Sequence, residues 1–371
     1  MKRYQNIYKK MKIVDILTFL IVLIAVQAVT IVQASNDSSK APVPKLLILD
    51  DCDKDNDLGT PPYGDAVFLL DSSGELKQLV HRLQIIDSVG RCGNISVSED
   101  GRFFFVCHDG AITKYETATG REFWPLQGRF WSIAYANGLI YALDPENIYA
   151  INDTGTIVKH GRFGGLDIAI DTKNNCLWIV GLDIRKLSLD FQSSFKKPLT
   201  LSGSDKGAFS VDVCPDGSVW IAERDIHPKV GLKSRLLKVS MQGEVLKKND
   251  INFSPYNICV NKTDGSLWVT GLLYRDLSKV DDKWPETLDE LYESTVKEPC
   301  TQKYDSAGNL LLGIDKGGYS VRIDPSDDSV WIAGLKSILH YSGKGEKLAE
   351  YAGVSERQKW LAVVPAEKVP N

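Results

Sequence analysis

The feature that most constrains this chain is a short β-hairpin pattern that recurs along most of its length. The clearest copy spans residues 208–222, where two segments of alternating apolar and polar residues flank the dipeptide Asp216-Gly217. A period of two is typical of β-strands, and Asp-Gly favours a tight hairpin turn. One isolated hairpin is barely stable in water, so the repeated copies are expected to pack on one another.

Two columns of residues mark the copies of this hairpin. The second strand carries an aromatic residue in most copies, and the first strand usually begins with a polar residue. The aromatic column comprises Phe104, Tyr141, Trp178, Trp220, Trp268 and Trp331. The first strands begin at Asn94, Ser132, Asp167, Ser210, Asn257, Ser320 and, in the last copy, Trp360. A second hairpin closes each unit, so a complete unit supplies four antiparallel strands.

Such units predict an all-β fold, a seven-bladed β-propeller of four-stranded antiparallel blades. Each sheet has two apolar faces, which it covers against its neighbours, and closure of the ring protects the end blades. The first unit lacks a first strand, whereas the last unit supplies only residues 360–364. We therefore expect the ring to be closed by N- and C-terminal strands that share one blade. A six-bladed ring is the alternative, because the unit around Tyr141 is short.

The N-terminal segment, residues 1–34, has a basic head, an apolar run at 16–26 and small residues before Ser35. This order is typical of a cleaved signal peptide, with an uncleaved membrane anchor as the alternative. Both predict an exported protein, periplasmic or extracellular. The other expected segments are a linker at 35–44, the propeller at 45–365 with a helical insertion at 272–300, and a tail at 366–371.

The pattern VDVCPDGSVWIA at 211–222, with weaker copies at 259–270 and 322–334, resembles the NHL repeat. The pattern is also similar to that of the wider group of streptogramin lyase-like and gluconolactonase-like propellers, and the resemblance covers nearly all of residues 45–364. The resemblance implies a propeller, although many members of these families have six blades. It implies little about activity, because these families share the repeat and differ in chemistry.

One face of the predicted ring gathers the candidate binding residues. In a propeller, the starts of the first strands and the loops between second and third strands emerge on the same face, called the mouth face below. Three long insertions, at 50–65, 223–234 and 271–301, fall in such loops. Together with the polar strand starts and a neighbouring aromatic column, they predict a ligand-binding channel mouth. The candidates are Asn94, Trp131, Ser132, Asp167, Phe209, Ser210, Glu223, Tyr256, Asn257, Tyr319 and Ser320.

Oxygen ligands in this set are also candidates for a metal site. Ca²⁺ and other hard divalent cations prefer carboxylate and amide oxygens. A lactonase-like or lyase-like enzyme would use such an ion to polarise a carbonyl oxygen, while His227 or His108 moves the proton. Without an ion, the same polar side chains would form hydrogen bonds in the channel. The candidate ligands are Asn94, Asp167, Asn257 and Glu223.

These features favour an exported, monomeric, NHL-like propeller that binds a protein, peptide or glycan through its mouth face, with no cofactor firmly indicated. The alternatives are the metal-dependent hydrolase or lyase and a scaffold for assembly at the cell envelope. The chain has 44 basic and 48 acidic residues, and nucleic-acid binding needs clustered lysine and arginine, so nucleic acid is not favoured. Membrane contact is expected only through an uncleaved N-terminal segment.

The seven cysteines are an odd number, so at least one thiol is expected to be free or paired between chains. Cys92 and Cys107 fall on the first and second strands of one blade. Pairing through the turn at 99–101 would place them almost opposite each other, so a cross-strand disulfide is predicted for an exported protein.

Overall fold

The computed structural model consists of β-strands arranged in seven antiparallel sheets. Within the residues that the structure describes, no helix is long and apolar enough to cross a membrane. The predicted leader at 1–34 and tail at 366–371 lie outside these residues, as does the predicted linker except for Pro44, which begins the first strand. The described residues are 44–50, 65–83, 93–199, 206–227, 231–274, 297–334, 336–354 and 359–365.

The first four blades are numbered in the order of the chain, and each is given from its inner to its outer strand. Blade 1 comprises β27 (Lys359–Val363), β1 (Pro44–Asp50), β2 (Asp65–Asp71) and β3 (Leu76–Leu83). Blade 2 comprises β4 (Gly93–Val97), β5 (Phe103–Glu116) and β6 (Glu122–Arg129). Blade 3 comprises β7 (Ser132–Ala136), β8 (Leu139–Leu143), β9 (Ile148–Ile151) and β10 (Ile157–Gly161). Blade 4 comprises β11 (Asp167–Asp171), β12 (Cys176–Val180), β13 (Asp183–Ser188) and β14 (Ser193–Pro198).

The other three blades repeat the same order of strands. Blade 5 comprises β15 (Lys206–Val213), β16 (Val219–His227), β17 (Gly231–Val239) and β18 (Val245–Ile251). Blade 6 comprises β19 (Ser254–Val260), β20 (Leu267–Tyr274), β21 (Lys297–Tyr304) and β22 (Leu310–Ile314). Blade 7 comprises β23 (Gly318–Ile323), β24 (Val330–Gly334), β25 (Ser337–Tyr341) and β26 (Lys347–Ala352).

β5 supplies two strands of blade 2, because it reverses direction within its length. Its first half pairs with β4, with Phe104 opposite Val97, and its second half pairs with β6. The backbone N–H of Thr117 donates to the carbonyl of Arg102 at 2.9 Å, as across a hairpin. The rings of Phe104 and Tyr115 stack across the same hairpin, with centroids 5.1 Å apart. The ring therefore has seven four-stranded blades, which confirms the predicted fold class, and the six-bladed alternative is wrong.

The ring closes where β1 pairs with β27. Leu47 lies opposite Ala362, and the N–H of Val364 donates to the carbonyl of Lys45 at 2.9 Å. The inner strand of each blade lies against the inner strand of the next, from β4 round to β23 and β27. The predicted sharing of one blade by the N- and C-terminal strands is confirmed.

The apolar core is divided among the gaps between the blades. Each of the seven gaps contains one cluster of buried apolar side chains within the described part of the chain. In the gap between blades 4 and 5, Trp178 packs in one cluster with Val211 and Leu237. Because every blade buries both faces in this way, the ring supplies the apolar contacts that a single sheet lacks.

The aromatic column occupies one register position on the second strands. Trp178 lies opposite Ala169, and in blade 2 the residue at the same position is Phe105, opposite Ser96. The predicted column member Phe104 therefore belongs to the other face of its strand, where it packs in the gap between blades 1 and 2. Successive strand residues face opposite sides of a sheet, so a shift of one residue changes the gap that a side chain fills.

A lysine opposite the column aromatic connects several blades to the next one. Lys186, Lys238 and Lys303 are the cross-strand partners of three of the column tryptophans. Each Nζ donates to a carbonyl in a turn of the following blade, as does the Nζ of Lys114 in blade 2. These bonds run from Lys114 to Asp153 at 3.4 Å, from Lys186 to Met241 at 3.0 Å, from Lys238 to Ser306 at 2.9 Å, and from Lys303 to Gly343 at 2.8 Å.

Two of the predicted insertions are shorter than the sequence suggests. β16 and β17 remain paired as far as His227 opposite Gly231, so most of the insertion predicted at 223–234 is a hairpin. The ends of the helical insertion predicted at 272–300 belong to β20 and β21. The residues between these two strands, and those between β1 and β2, lie outside the described ranges, so the predicted helix stays a prediction.

Candidate functional site

The polar residues near the start of the inner strands, here called the polar ring, are Asn94, Ser132, Asp167, Ser210, Asn257 and Ser320. In blades 2 to 4 they bond one another around the channel. Asn94 Nδ2 donates to Ser132 Oγ at 3.1 Å, and Ser132 Oγ donates to Asp167 Oδ1 at 2.9 Å. Asp167 Oδ2 accepts a hydrogen bond from the backbone N–H of Val211 in blade 5 at 3.1 Å.

The polar ring continues through blades 5 to 7 and back to blade 1. Asn257 Nδ2 donates to Ser210 Oγ at 3.1 Å, and Asn257 Oδ1 accepts from the N–H of Val321 at 3.0 Å. Ser320 Oγ accepts from the N–H of Leu361 in the closing strand at 3.3 Å. All six predicted residues thus lie in one layer, and their hydrogen bonds connect adjacent blades. The sequence left two roles open for these residues, ligand binding and hydrogen bonding within the channel. The contacts observed are hydrogen bonds within the protein.

A cation that sequence reasoning missed lies in the same layer. Arg322, on β23, donates from Nη1 to Asn257 Oδ1 at 2.5 Å. Burial raises the pKa of the Asp167 carboxyl above its ordinary value, whereas the N–H of Val211 and the charge of Arg322 act in the opposite direction. The only sequence signal for Arg322 was its place two residues after the polar ring, where the other blades carry no cation.

Two of the four predicted metal ligands, Asp167 and Asn257, are occupied by hydrogen bonds between blades. Both oxygens of Asp167 accept hydrogen bonds between blades. The amide oxygen of Asn257, which would be its ligand atom, accepts a hydrogen bond from the positively charged Arg322. Glu223 is fully buried on β16, opposite Arg235. Within the described residues, no group of three or more histidine, cysteine, aspartate or glutamate side chains is arranged to hold a metal ion.

The predicted proton-transfer histidines occupy strand positions on the mouth side. His108 lies opposite Gly93, and His227 lies opposite Gly231. Their side chains are outside the described part of the structure, so their role stays a prediction. Cys92 is also outside it, and the disulfide with Cys107, which is buried on β5, likewise stays a prediction.

The second predicted column is aromatic and lies next to the polar ring. Phe209, Tyr256 and Tyr319 each precede a polar-ring residue, and they come from the neighbouring blades 5, 6 and 7. The rings of Tyr256 and Tyr319 meet edge to face, with centroids 5.4 Å apart. Trp131 holds the same position before blade 3, and its indole Nε1 is buried with no hydrogen-bond partner among the described residues.

Arg224 is the other residue that sequence reasoning missed, and it lies among these aromatic rings. The residue is on β16 and only 6% exposed. Its guanidinium carbon is 3.6 Å from the ring centroid of Phe209 and 5.2 Å from that of Tyr256, which are attractive cation–π distances. Its Nη1 donates to Ser254 Oγ at 3.1 Å. Arg224, Phe209, Ser254, Tyr256 and Tyr319 are called the arginine–aromatic cluster below.

Further along the inner strands, away from the mouth face, the charged residues again connect blades. Asp212 Oδ1 accepts from Lys262 Nζ at 2.6 Å, and Asp212 Oδ2 accepts from the N–H of Val260 at 2.7 Å. Lys262 Nζ also donates to the carbonyl of Val213 at 2.5 Å. Asp212 and Lys262 therefore neutralise each other within the protein. The arginine–aromatic cluster is different, because its buried cation lies against aromatic rings.

Comparison with known proteins finds similar folds but assigns the chain to no family. No family model and no curated protein matches the chain. A WD40 domain of Neurospora crassa Pan2 is similar in structure, with a TM-score of 0.53, 8% identity, and coverage of 75% of this chain and 80% of that one. A chain of a mitotic checkpoint complex has a TM-score of 0.52 and 12% identity over 77% of this chain and 84% of that one. A protein of unknown function from Bacteroides caccae has a TM-score of 0.46 and 13% identity over 73% and 93%.

Proposed function

We propose that this chain is a binding module that holds a protein or peptide ligand at its mouth face. The arginine–aromatic cluster carries the proposal, because aromatic and arginine side chains are enriched where proteins bind one another. Phe209 and Tyr256 are each only half-buried, so part of their apolar surface remains available to a ligand. These two rings come from the neighbouring blades 5 and 6, so the exposed part of the cluster spans two blades.

The structural neighbours add support of a general kind. One of the similar structures is a chain of a mitotic checkpoint complex, and that chain is part of an assembly of proteins. Propellers reach such roles because their fixed blades hold variable side chains on one rigid face. For the present chain, the proposal includes export, which the basic head and apolar run of residues 1–34 support, and action as a monomer.

The metal-dependent hydrolase or lyase has weaker support. Its proposed ligands Asp167 and Asn257 are used in bonds between blades, and Arg322 places a positive charge on one of them. A hydrolase needs polar groups that stabilise the charge developing at a reacting atom. The polar groups of the polar ring instead form hydrogen bonds between adjacent blades. A glycan would bind at the same mouth face as the peptide, so this alternative differs only in the ligand. The scaffold at the cell envelope is a separate alternative to which no face is assigned.

A displayed library of random peptides tests the proposal on the full chain. Peptides selected by the wild type are expected to lose about tenfold or more in affinity for Tyr256→Ala, since truncation of an aromatic hot-spot residue costs about 2 kcal/mol or more. Gln242→Ala, an exposed residue in a turn on the opposite face, is the matched control and should bind as the wild type does. Equal affinity of Tyr256→Ala, with its melting temperature unchanged, would contradict the proposal. Metal-dependent hydrolysis of a lactone panel that Asp167→Asn abolishes would favour the enzyme instead.

A further inference from the structure

Arg224 is a buried cation that lacks a counter-charge in the described part of the chain. The residue is 6% exposed, and its guanidinium has one hydrogen-bonded partner there, the hydroxyl of Ser254. Its Nε is buried and has no hydrogen-bond partner among the residues that the structure describes. An uncompensated buried charge destabilises a fold. A buried arginine without a carboxylate partner is therefore unfavourable unless a ligand supplies the negative charge.

Other arginines of the protein do have carboxylate partners. Three of them form ion pairs. These three are more exposed than Arg224, so water already solvates part of their charge. These pairs are Arg102–Asp100 at 2.6 Å, Arg185–Asp183 at 2.6 Å and Arg235–Asp250 at 2.7 Å. The adjacent residue Glu223 does not fill this role from its own strand, because successive side chains point to opposite faces of a sheet.

The surroundings of Arg224 fix the orientation of its guanidinium. Phe209 stacks on it at 3.6 Å, Tyr256 lies 5.2 Å away, and Ser254 holds Nη1. A guanidinium held in this way needs little further ordering when a ligand arrives, which favours binding. The guanidinium is a planar array of donors, and this array matches the two oxygens of a carboxylate.

We propose that Arg224 binds a carboxylate of the peptide ligand, with an apolar part of the same ligand packed on Phe209 and Tyr256. This inference rests on the proposed function and names the chemistry that the mouth face recognises. The carboxylate belongs either to an Asp or Glu side chain or to the C-terminus of the peptide. Both sources offer the same two oxygens, and both can be neutralised chemically without changing the protein.

The test uses peptides selected by the wild-type chain and synthesised in neutralised forms. Each peptide is made with its acidic residues replaced by their amides, and separately with an amidated C-terminus. Binding to the wild type is expected to weaken about tenfold or more in one of these forms, because the neutral form cannot make the charge-assisted hydrogen bonds to the guanidinium. The form that weakens identifies the source of the carboxylate. If neither form weakens, the inference is overturned.

The protein side of the same test uses Arg224→Gln, with Arg102→Gln as the control at an exposed arginine. Arg224→Gln should weaken the acidic peptide about tenfold or more and abolish the difference between its acidic and neutral forms, whereas Arg102→Gln should do neither. A difference that persists in Arg224→Gln overturns the inference. Should that variant fail to fold, the peptide forms on the wild type decide alone.

The outcomes separate this inference from the proposed function. Peptides that depend on Tyr256 but not on a carboxylate overturn the carboxylate site and leave the binding module in place. Peptides that are indifferent to Tyr256, or a library from which none is selected, overturn both. The last measurement is binding of the chain to an array of acidic glycans. If the chain binds uronic-acid glycans and no peptide, the inference that its ligand is a peptide is overturned.

Discussion

The carboxylate of Asp167 accepts a hydrogen bond from the backbone N–H of Val211, and these two residues belong to adjacent blades. The distance between Oδ2 and the nitrogen is 3.1 Å, and the other oxygen accepts from Ser132. One side chain therefore contacts blades 3, 4 and 5 of the ring. A residue that the sequence marks as a candidate ligand thus has a structural task that a binding assay alone would not reveal.

Asp167→Ala is expected to lower the free energy of unfolding by about 1–3 kcal/mol, because it leaves the N–H of Val211 and the hydroxyl of Ser132 without their acceptor. The control is Asp190→Ala, at an exposed ion pair, which should change stability by less than about 1 kcal/mol. Urea unfolding followed by fluorescence measures both. A variant at Asp167 that is as stable as the wild type would show that the bond between blades contributes nothing.

Closure of the ring through β27 predicts a second stability effect. Leu361 is fully buried in the gap between blades 7 and 1, so Leu361→Ala should cost about 2–5 kcal/mol through lost apolar contact and the cavity left behind. Leu348→Ala, at a leucine that is 54% exposed on an outer strand, should stay within about 0.5 kcal/mol. Similar denaturation midpoints for the two variants would mean that the C-terminal strand is not essential to the fold.

The parts of the fold that repeat were predictable from the sequence. Seven copies of the inner strand reveal the polar ring, and the tryptophans mark the residues that fill the gaps between blades. The absence of an inner strand in the first unit predicted the pairing of β1 with β27. A repeated pattern averages over many copies, so one misaligned copy, such as Phe104 in place of Phe105, does not change the predicted fold.

Residues that occur in a single blade were not predictable in this way. Arg224, on a second strand, is a buried cation among aromatic rings, and its contacts Phe209 and Tyr256 come from inner strands of two blades. No local pattern brings these three together, because only the closed ring does so. The hairpin of β16 and β17 was missed for a related reason: its end carries charges instead of alternating apolar residues.

The lysines opposite the column aromatics give a third prediction. Lys303→Met should lower the free energy of unfolding by about 0.5–1.5 kcal/mol, because it removes the hydrogen bond from Nζ to the Gly343 carbonyl while keeping the apolar stem beside Trp268. The same change at Lys248, an exposed residue on β18, controls for the loss of a positive charge. Equal effects at the two positions would assign the loss to charge and not to the bond between blades 6 and 7.

Blade 7 has a histidine at the position that lysine holds in four other blades. The ring of His340 stacks on Trp331 with centroids 3.7 Å apart and an angle of 3° between the planes. Its Nε2 is buried and has no hydrogen-bond partner among the described residues. Burial lowers the pKa of His340, and this effect outweighs the attraction of the nearby Asp327 carboxylate for the charged form.

The stability of the protein should therefore decrease as the pH falls below about 6.5, the ordinary pKa of histidine. In that range the unfolded chain binds a proton at His340 that the folded protein does not yet bind, so acidification favours unfolding. His340→Phe keeps a ring on Trp331 and has no titratable group, so its free energy of unfolding should fall less between pH 7.5 and 5.5 than that of the wild type. Urea unfolding at several pH values compares the two slopes, and parallel slopes would show that His340 is not the group that titrates.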